Sequence, residues 1–172
     1  MMDNATVTAE HTVHPTRLGD LTIVRDGDAL TGLYYPRHWY RPGQASFGRK
    51  NDRAFDDARR QLDEYLAGTR TTFDLPLAAR GSELQRRVWE LIAQVPYGQT
   101  ATYGDLARWL GGGVTAQQAG AAVGRNPLSI LIPCHRIIGS TGKLTGYAGG
   151  LKRKRFLLGL EQAHAGLAPG LW

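Results

Sequence analysis

Cys134, the only cysteine of the 172-residue chain, lies in Ser129-Ile130-Leu131-Ile132-Pro133-Cys134-His135-Arg136-Ile137-Ile138-Gly139, where an apolar run stops at a proline. A thiolate is the nucleophilic form of cysteine, and a neighbouring cation such as Arg136 or protonated His135 lowers a thiol pKa from its free value of about 8.5. A lone free cysteine is most often a small buried hydrophobe; the Pro, His and Arg beside this one argue instead for reactivity. One cysteine excludes an internal disulfide, which fits a reducing cytoplasm, and leaves no second thiol to resolve an oxidised or alkylated Cys134. A cysteine hydrolase built on Cys134 and His135 fits poorly, because adjacent residues of an extended segment point to opposite sides.

The elements that position this segment are legible in part. Residues 1–14 read as a flexible tail. Residues 18–33 alternate loosely around Asp26-Gly27-Asp28, the pattern of a β-hairpin, and residues 34–50 form a loop rich in Pro, Gly, Arg and aromatics. Asn51 opens a helix in which Phe55, Ala58, Leu62, Tyr65 and Leu66 follow helical spacing up to Gly68, and residues 71–77 have strand character. These give a small α+β unit over residues 15–76, with a linker at 77–80 and a second unit over 81–163 followed by a tail at 164–172.

The second unit carries more signals. Ser82-Glu83-Leu84-Gln85 fits a capping box, opening a helix that stops before Pro96. A helix over residues 103–110, the run Gly111-Gly112-Gly113 and a second capping box, Thr115-Ala116-Gln117-Gln118, then outline a helix-turn-helix whose second helix ends near Gly124. Ala116, Ala119, Gly120, Ala121 and Ala122 make that helix slim. Slim faces suit either close approach to a narrow groove of DNA or tight packing inside the protein, and the pattern alone leaves the two even.

Charge separates the two units. Residues 1–80 carry 11 Lys and Arg against 11 Asp and Glu, whereas residues 81–172 carry 10 against 4, so the whole excess of +6 sits in the half that holds the thiol. A polyanionic partner follows, with nucleic acid foremost. No segment approaches the roughly 18 apolar residues of a membrane span, and the first 14 residues lack a signal-peptide core. A soluble cytoplasmic protein is expected. The histidines at 11, 14, 38 and 164 show no ligand spacing with Cys134, so no metal and no cofactor are expected.

Pro133-Cys134-His135-Arg136, preceded by Asn126-Pro127 and followed by Thr145-Gly146-Tyr147-Ala148-Gly149-Gly150, resembles the active-site region of the O6-alkylguanine-DNA alkyltransferases. Val88-Trp89, Val95-Pro96-Tyr97-Gly98 and Thr102-Tyr103-Gly104-Asp105-Leu106-Ala107 stand in the expected order, so the resemblance covers residues 80–161. It implies a ribonuclease-H-like N-terminal domain followed by a helical C-terminal domain with a helix-turn-helix. It also implies irreversible, stoichiometric transfer of an alkyl group from O6-alkylguanine in double-stranded DNA to Cys134, after minor-groove binding and base flipping. The implied partner is duplex DNA, bound by a monomer, with cooperative assembly along DNA left open.

Site roles follow from the resemblance, position by position. Cys134 is the nucleophile, His135 takes its proton through a water and Glu161 orients His135. Asn126 holds the turn before the thiol, and Tyr103 donates a hydrogen bond to the departing guanine. Tyr103, Tyr147, Ala148, Gly149 and Gly150 form the alkylguanine pocket. Thr102, Tyr103, Thr115, Ala116, Gln117, Gln118, Gly120, Ala121, Arg125 and Arg136 contact DNA. One position departs from the family, which usually has Ala-Arg-Ala-Val-Gly on the second helix where this chain has Ala116-Gln117-Gln118-Ala119-Gly120. Gln117 therefore replaces the arginine that fills the gap left by a flipped base, giving up charge and stacking, with Arg125 available to compensate. The competing reading is a sensor that binds and flips alkylated bases without repairing them. Retention of Cys134 argues against it.

Overall fold

The computed structural model describes residues 8–168 and 170. Tight turns join the first three strands into an antiparallel meander: β1 (Ala9–Thr16), β2 (Gly19–Asp26) and β3 (Ala29–Tyr34). The β2–β3 hairpin closes through Gly27 at φ 60°, a conformation that suits glycine. The short β4 (Arg49–Lys50) pairs parallel to β1 and completes the order β3-β2-β1-β4. Helix α1 (Asp56–Leu66) buries Leu62 and Tyr65 in the same apolar cluster as Leu21, Ile23 and Leu33.

Three features differ from the sequence-based expectation. Strand β1 occupies much of the segment expected to be a tail through residue 14; residues 1–7 of that expectation lie outside the described residues. Its buried positions include His11, Thr12 and His14 rather than a run of aliphatics. Each has a polar partner: Thr12 donates to the Asp52 side chain at 2.7 Å, His14 pairs with the Asp63 side chain at 2.7 Å, and His11 Nδ1 lies 3.2 Å from the backbone carbonyl of Gly48. Asn51 does not cap the helix, because its amide donates to Glu10 at 2.9 Å and a 3-10 turn over Asp52–Phe55 intervenes before α1. Residues 71–76 form no strand. Gln61 takes the place of a sheet neighbour there, accepting from the Asp74 N–H at 2.8 Å and donating to its carbonyl at 3.0 Å.

The helical half follows its start signals closely. Helix α2 (Glu83–Ala93) opens with the Ser82–Gln85 capping box. The short β5 (Ala101–Thr102) leads into α3 (Tyr103–Leu110), which carries a Thr102–Asp105 box. The chain then turns through Gly111, Gly112 and Gly113, all at positive φ, into α4 (Ala116–Gly124), capped by Thr115 and Gln118. These boxes satisfy N–H groups that the first turn of a helix otherwise leaves unpaired. Trp89 of α2 anchors the pair, its indole N–H donating to the Ala122 carbonyl at 2.9 Å. Strand β6 (Ile137–Ile138) pairs parallel to β5, and α5 (Leu151–His164) closes the fold, ending at the first residue of the expected tail.

The two halves share one apolar cluster, in which Tyr35, Phe55 and Tyr65 pack with Val88, Trp89, Leu106 and Leu157. The presumed linker is itself paired, since Ala78 N–H donates to the Leu30 carbonyl at 2.8 Å. Across the halves, Leu33 N–H donates to the Pro127 carbonyl at 2.8 Å. Gly149 presses against the ring of Tyr35, where a Cβ would lie 2.3 Å from ring carbons. That ring is wholly buried and has no room to retreat. Gly149→Ala is therefore expected to destabilise the protein by about 1–3 kcal/mol through overpacking, read as a lowered urea midpoint at unchanged slope; a midpoint equal to wild type would contradict the contact.

Candidate active site

The thiol sits at the end of a strained turn. Asn126 spans that turn with both ends of its amide, accepting from Leu128 N–H at 2.9 Å and donating to the Ile132 carbonyl at 2.8 Å. Between those anchors Ile130 has φ 71°, the left-handed region, where a β-branched residue is a genuine outlier. Such strain costs on the order of 1–3 kcal/mol and persists only where the surroundings impose it. Cys134 then begins a 3-10 turn over Cys134–Arg136 rather than an extended segment, its N–H donating to the Ile132 carbonyl at 2.7 Å. It is 3 % exposed and lines a cavity of about 730 Å³ with Tyr103, Gln117, Gly120, Tyr147 and Trp39.

His135 points away from that cavity, into the interior. Its Nε2 lies 2.8 Å from Glu161 Oε1, while Nδ1 is buried with no hydrogen-bond partner among the described residues. Glu161 is fully buried near the end of α5. Its Oε1 also receives Tyr65 O–H at 2.6 Å and Arg136 Nη2 at 2.8 Å, and its Oε2 receives Arg136 Nε at 2.9 Å and Gly98 N–H at 3.2 Å. Burial works against the Glu161 anion, but those donors and the Arg136 cation outweigh it and hold the carboxyl far below the usual carboxylate range. Burial lowers the His135 pKa despite Glu161, so the ring is neutral at neutral pH, with its proton on the nitrogen that faces the carboxylate.

This arrangement corrects two expectations. Arg136 is turned inward: it is buried, with its guanidinium committed to Glu161 and to the Val95 carbonyl at 2.6 Å, which leaves no free nitrogen for the thiol activation or the DNA contact expected of it. The thiol pKa is raised by burial rather than lowered, although Asn126 and the charge of Lys154 act in the opposite direction. Lys154 lies on α5 one turn before Leu158. It is buried, with Nζ 2.5 Å from the Ile137 carbonyl, 3.0 Å from that of Thr145 and 3.3 Å from that of Gly146, and burial brings its pKa down to about 8. The signal lay in helical spacing, since Lys154, Leu157, Leu158 and Glu161 share one face of α5.

The other expected residues divide between the cavity and its surroundings. Tyr147 and Ala148 line the cavity; Gly149 backs it against Tyr35, and Gly150 caps α5 outside it. Tyr103 lines it with its hydroxyl 3.2 Å from the Thr145 carbonyl. Burial raises the Tyr103 pKa, so the group remains an O–H donor. The slim residues of α4 divide by exposure: Ala119 and Ala122 are buried, Ala116 and Ala121 are exposed together with Gln117, and Gly120 lies against the Tyr103 ring. The Thr102 and Thr115 hydroxyls and the Gln118 amide are engaged in capping. Arg125 is exposed with its guanidinium 3.5 Å from the centre of the Tyr40 ring. Sequence reasoning missed Tyr65, Lys154 and Trp39, the first and last because they belong to the N-terminal half.

Comparison with known proteins agrees with this layout. Residues 10–79 match the family model described as "6-O-methylguanine DNA methyltransferase, ribonuclease-like domain", and residues 83–163 match "6-O-methylguanine DNA methyltransferase, DNA binding domain". A methylated-DNA–protein-cysteine methyltransferase of Mycolicibacterium paratuberculosis is 46 % identical over 148 residues, covering 86 % of this chain and 89 % of the relative. One from Haemophilus influenzae is 36 % identical over 153 residues, covering 88 % and 86 %. A crystal structure of Mycobacterium tuberculosis OGT in complex with DNA superposes with a TM-score of 0.86 at 41 % identity, covering 93 % of this chain and 95 % of that one.

The Lys154 charge favours the thiolate form of Cys134. Lys154→Met is expected to move the midpoint of Cys134 alkylation by iodoacetamide to higher pH, and an unmoved midpoint would remove Lys154 from the electrostatics of the thiol.

Proposed function

The chain belongs to the 6-O-methylguanine DNA methyltransferase family, and on that footing we propose that it repairs O6-alkylguanine in duplex DNA by moving the alkyl group irreversibly onto Cys134. The observation that carries this reading is the placement of the sole cysteine in a cavity shared with the exposed face of α4. A base turned out of the stack beside α4 reaches the thiol there; one within the duplex does not. The transfer replaces the bond between O6 and the alkyl carbon with one between sulfur and that carbon. The thioether has no good leaving group and no second thiol resolves it, so each molecule acts once.

The residues divide the work. Cys134 rests as a thiol because burial disfavours its anion, so a base must take its proton as sulfur attacks. His135 is that base: the ring is neutral, Nε2–H is held by Glu161, and Nδ1 keeps a free lone pair that receives the thiol proton through a water. The imidazolium so formed is stabilised by Glu161. Electrons of the broken bond flow to the guanine, and Tyr103 neutralises that developing charge by donating its hydroxyl hydrogen. Asn126 sets the height of the thiol through the turn it spans.

Ala116, Gln117, Ala121 and Arg125 lie exposed along and just beyond α4 and form the face laid against the minor groove. Gln117 fills the gap left by the flipped base without the charge of the usual arginine. The sensor reading is not favoured, because the curated relatives are methyltransferases and the nucleophile is retained. No helix among the described residues is long and apolar enough to cross a membrane. A monomer working in the cytoplasm, associated with the nucleoid while bound to DNA, fits a single free thiol.

Incubation with a duplex carrying one O6-methylguanine is expected to add one methylene per chain to the intact mass, and Cys134→Ser to add none; an unchanged wild-type mass despite DNA binding would refute the transfer. Tyr103→Phe is expected to slow single-turnover transfer by about 10²-fold, on the scale of losing one transition-state donor. Gln117→Arg is expected to strengthen productive DNA binding by about 1–3 kcal/mol, the scale of base unstacking. Equal affinity and rate in that variant would show that the missing charge is of no consequence.

A further inference from the structure

The guanidinium of Arg125, just beyond α4, is stacked 3.5 Å from the centre of the Tyr40 ring, which belongs to the N-terminal half. Both residues are exposed, and a cation over an aromatic ring in water adds little to folding. Tyr40 nevertheless sits at φ 58°, the left-handed region, where a bulky residue is a genuine outlier. Such a conformation persists only where its surroundings impose it. Here Arg41 N–H closes a turn on the His38 carbonyl at 3.3 Å, and Trp39 N–H donates to the Ala148 carbonyl at 3.0 Å. The His38 ring accepts from Tyr35 N–H at 3.3 Å and hydrogen-bonds the Asn126 backbone. The turn is thus fastened to two consecutive residues, by the stack on Arg125 and by the bond to Asn126, whose own side chain spans the turn before the thiol.

The stacked pair stands at the rim of the Cys134 cavity, because Trp39 and Gly124, its neighbours in sequence, both line that cavity. Tyr40 covers a face of the guanidinium and leaves the in-plane N–H groups uncovered. Among the described residues those groups meet no carboxylate. Helix α4 itself carries no charged side chain, so Arg125 is the cation that its exposed face is given. A nucleotide whose base enters the cavity keeps its sugar and its flanking phosphates outside, at the rim. A guanidinium already stacked on a ring can offer a phosphate two parallel N–H groups, with less freedom to lose than a loose side chain.

We propose that Arg125, held by Tyr40, is a binding subsite for a phosphate next to the flipped nucleotide, so that the N-terminal half takes part in DNA binding. The inference rests on the alkyl-transfer reading and deepens it by naming the group that each residue meets. Arg125 touches the phosphate. Tyr40 is a positioning residue, which acts only through Arg125 and does so by its flat face rather than its hydroxyl. Phosphate contacts fix register and orientation without reading sequence, and a contact at this rim favours the extruded state over the stacked one.

The test is a double-mutant cycle on DNA affinity, measured across a salt series in the full chain carrying Cys134→Ser, which leaves the alkyl group on the DNA. The duplexes are one carrying a single O6-methylguanine and its undamaged counterpart. On the damaged duplex Arg125→Ala is expected to reduce the slope of log affinity against log salt by about 0.9, the share of one phosphate contact. Tyr40→Ala is expected to weaken binding about three-fold while Arg125 is present and to add nothing to Arg125→Ala; Tyr40→Phe, which keeps the flat face, stays within about 1.5-fold of the parent. Matching thermal midpoints confirm that the variants are folded. An unchanged slope in Arg125→Ala, additive losses from the two substitutions, or equal losses on the undamaged duplex overturn this inference while leaving transfer by the wild type intact. A wild-type chain whose mass gains nothing from the damaged duplex overturns the transfer reading and, with it, this one.

Discussion

The structure turns on one buried carboxylate. Glu161 has no contact with solvent, and an ionised carboxyl in that position persists only when its lone pairs are filled and its charge is matched. Its donors reach it on α5 from three separate places: the turn carrying Cys134, which supplies His135 and Arg136; helix α1, which supplies Tyr65; and the segment after α2, which supplies Gly98 N–H. Arg136 balances the charge, and His135 can therefore remain neutral. A carboxylate filled in this way fixes the imidazole ring, its tautomer and the relative placement of both halves of the chain at once. Removing one member of such a buried pair typically costs about 3–5 kcal/mol, because the remaining charge is left unmatched.

The electrostatics of the thiol follow from the same economy of charge. Arg136 is adjacent in sequence, but its charge is already satisfied by Glu161. The cation left to influence Cys134 is Lys154, which is itself buried and held on the carbonyls of Ile137 and of Thr145 and Gly146, the latter two lining the cavity. Burial wins over Lys154 and Asn126, so the resting group is a thiol rather than a standing thiolate. Since one pKa unit corresponds to about 1.36 kcal/mol, a raised thiol makes proton removal part of the barrier, which is the task proposed for the neutral His135. A protein that reacts once gains from this arrangement, because a protonated thiol is a poor target for adventitious oxidation.

How much was legible in the sequence depended on how local the determining interaction is. The Ser82 and Thr115 capping boxes, the glycine turn and the boundaries of α3 and α4 are set within a few residues, and the structure places them where the pattern did. Strand β1 was missed because its inward positions are polar residues matched by Asp52 and Asp63, partners invisible to a hydrophobic pattern. Residues 71–76 read as a strand but are held by the side chain of Gln61 instead. At the site, motif resemblance located Cys134, His135 and Glu161 together. It did not distinguish buried from exposed charge, so Arg136 was assigned the wrong surroundings and the buried Lys154 was not singled out at all. Tyr65 and Trp39 reach the site only through packing between the halves, which no local pattern encodes.

The central claim is that Glu161 holds His135 neutral with Nδ1 free to accept the thiol proton. Nitrogen-15 NMR of the histidine rings in the unreacted protein tests it most directly, with Glu161→Gln assigning the His135 signals. The account requires His135 to be the Nε2–H tautomer at neutral pH, with Nδ1 unprotonated. A proton on Nδ1, or an imidazolium at that pH, would contradict it.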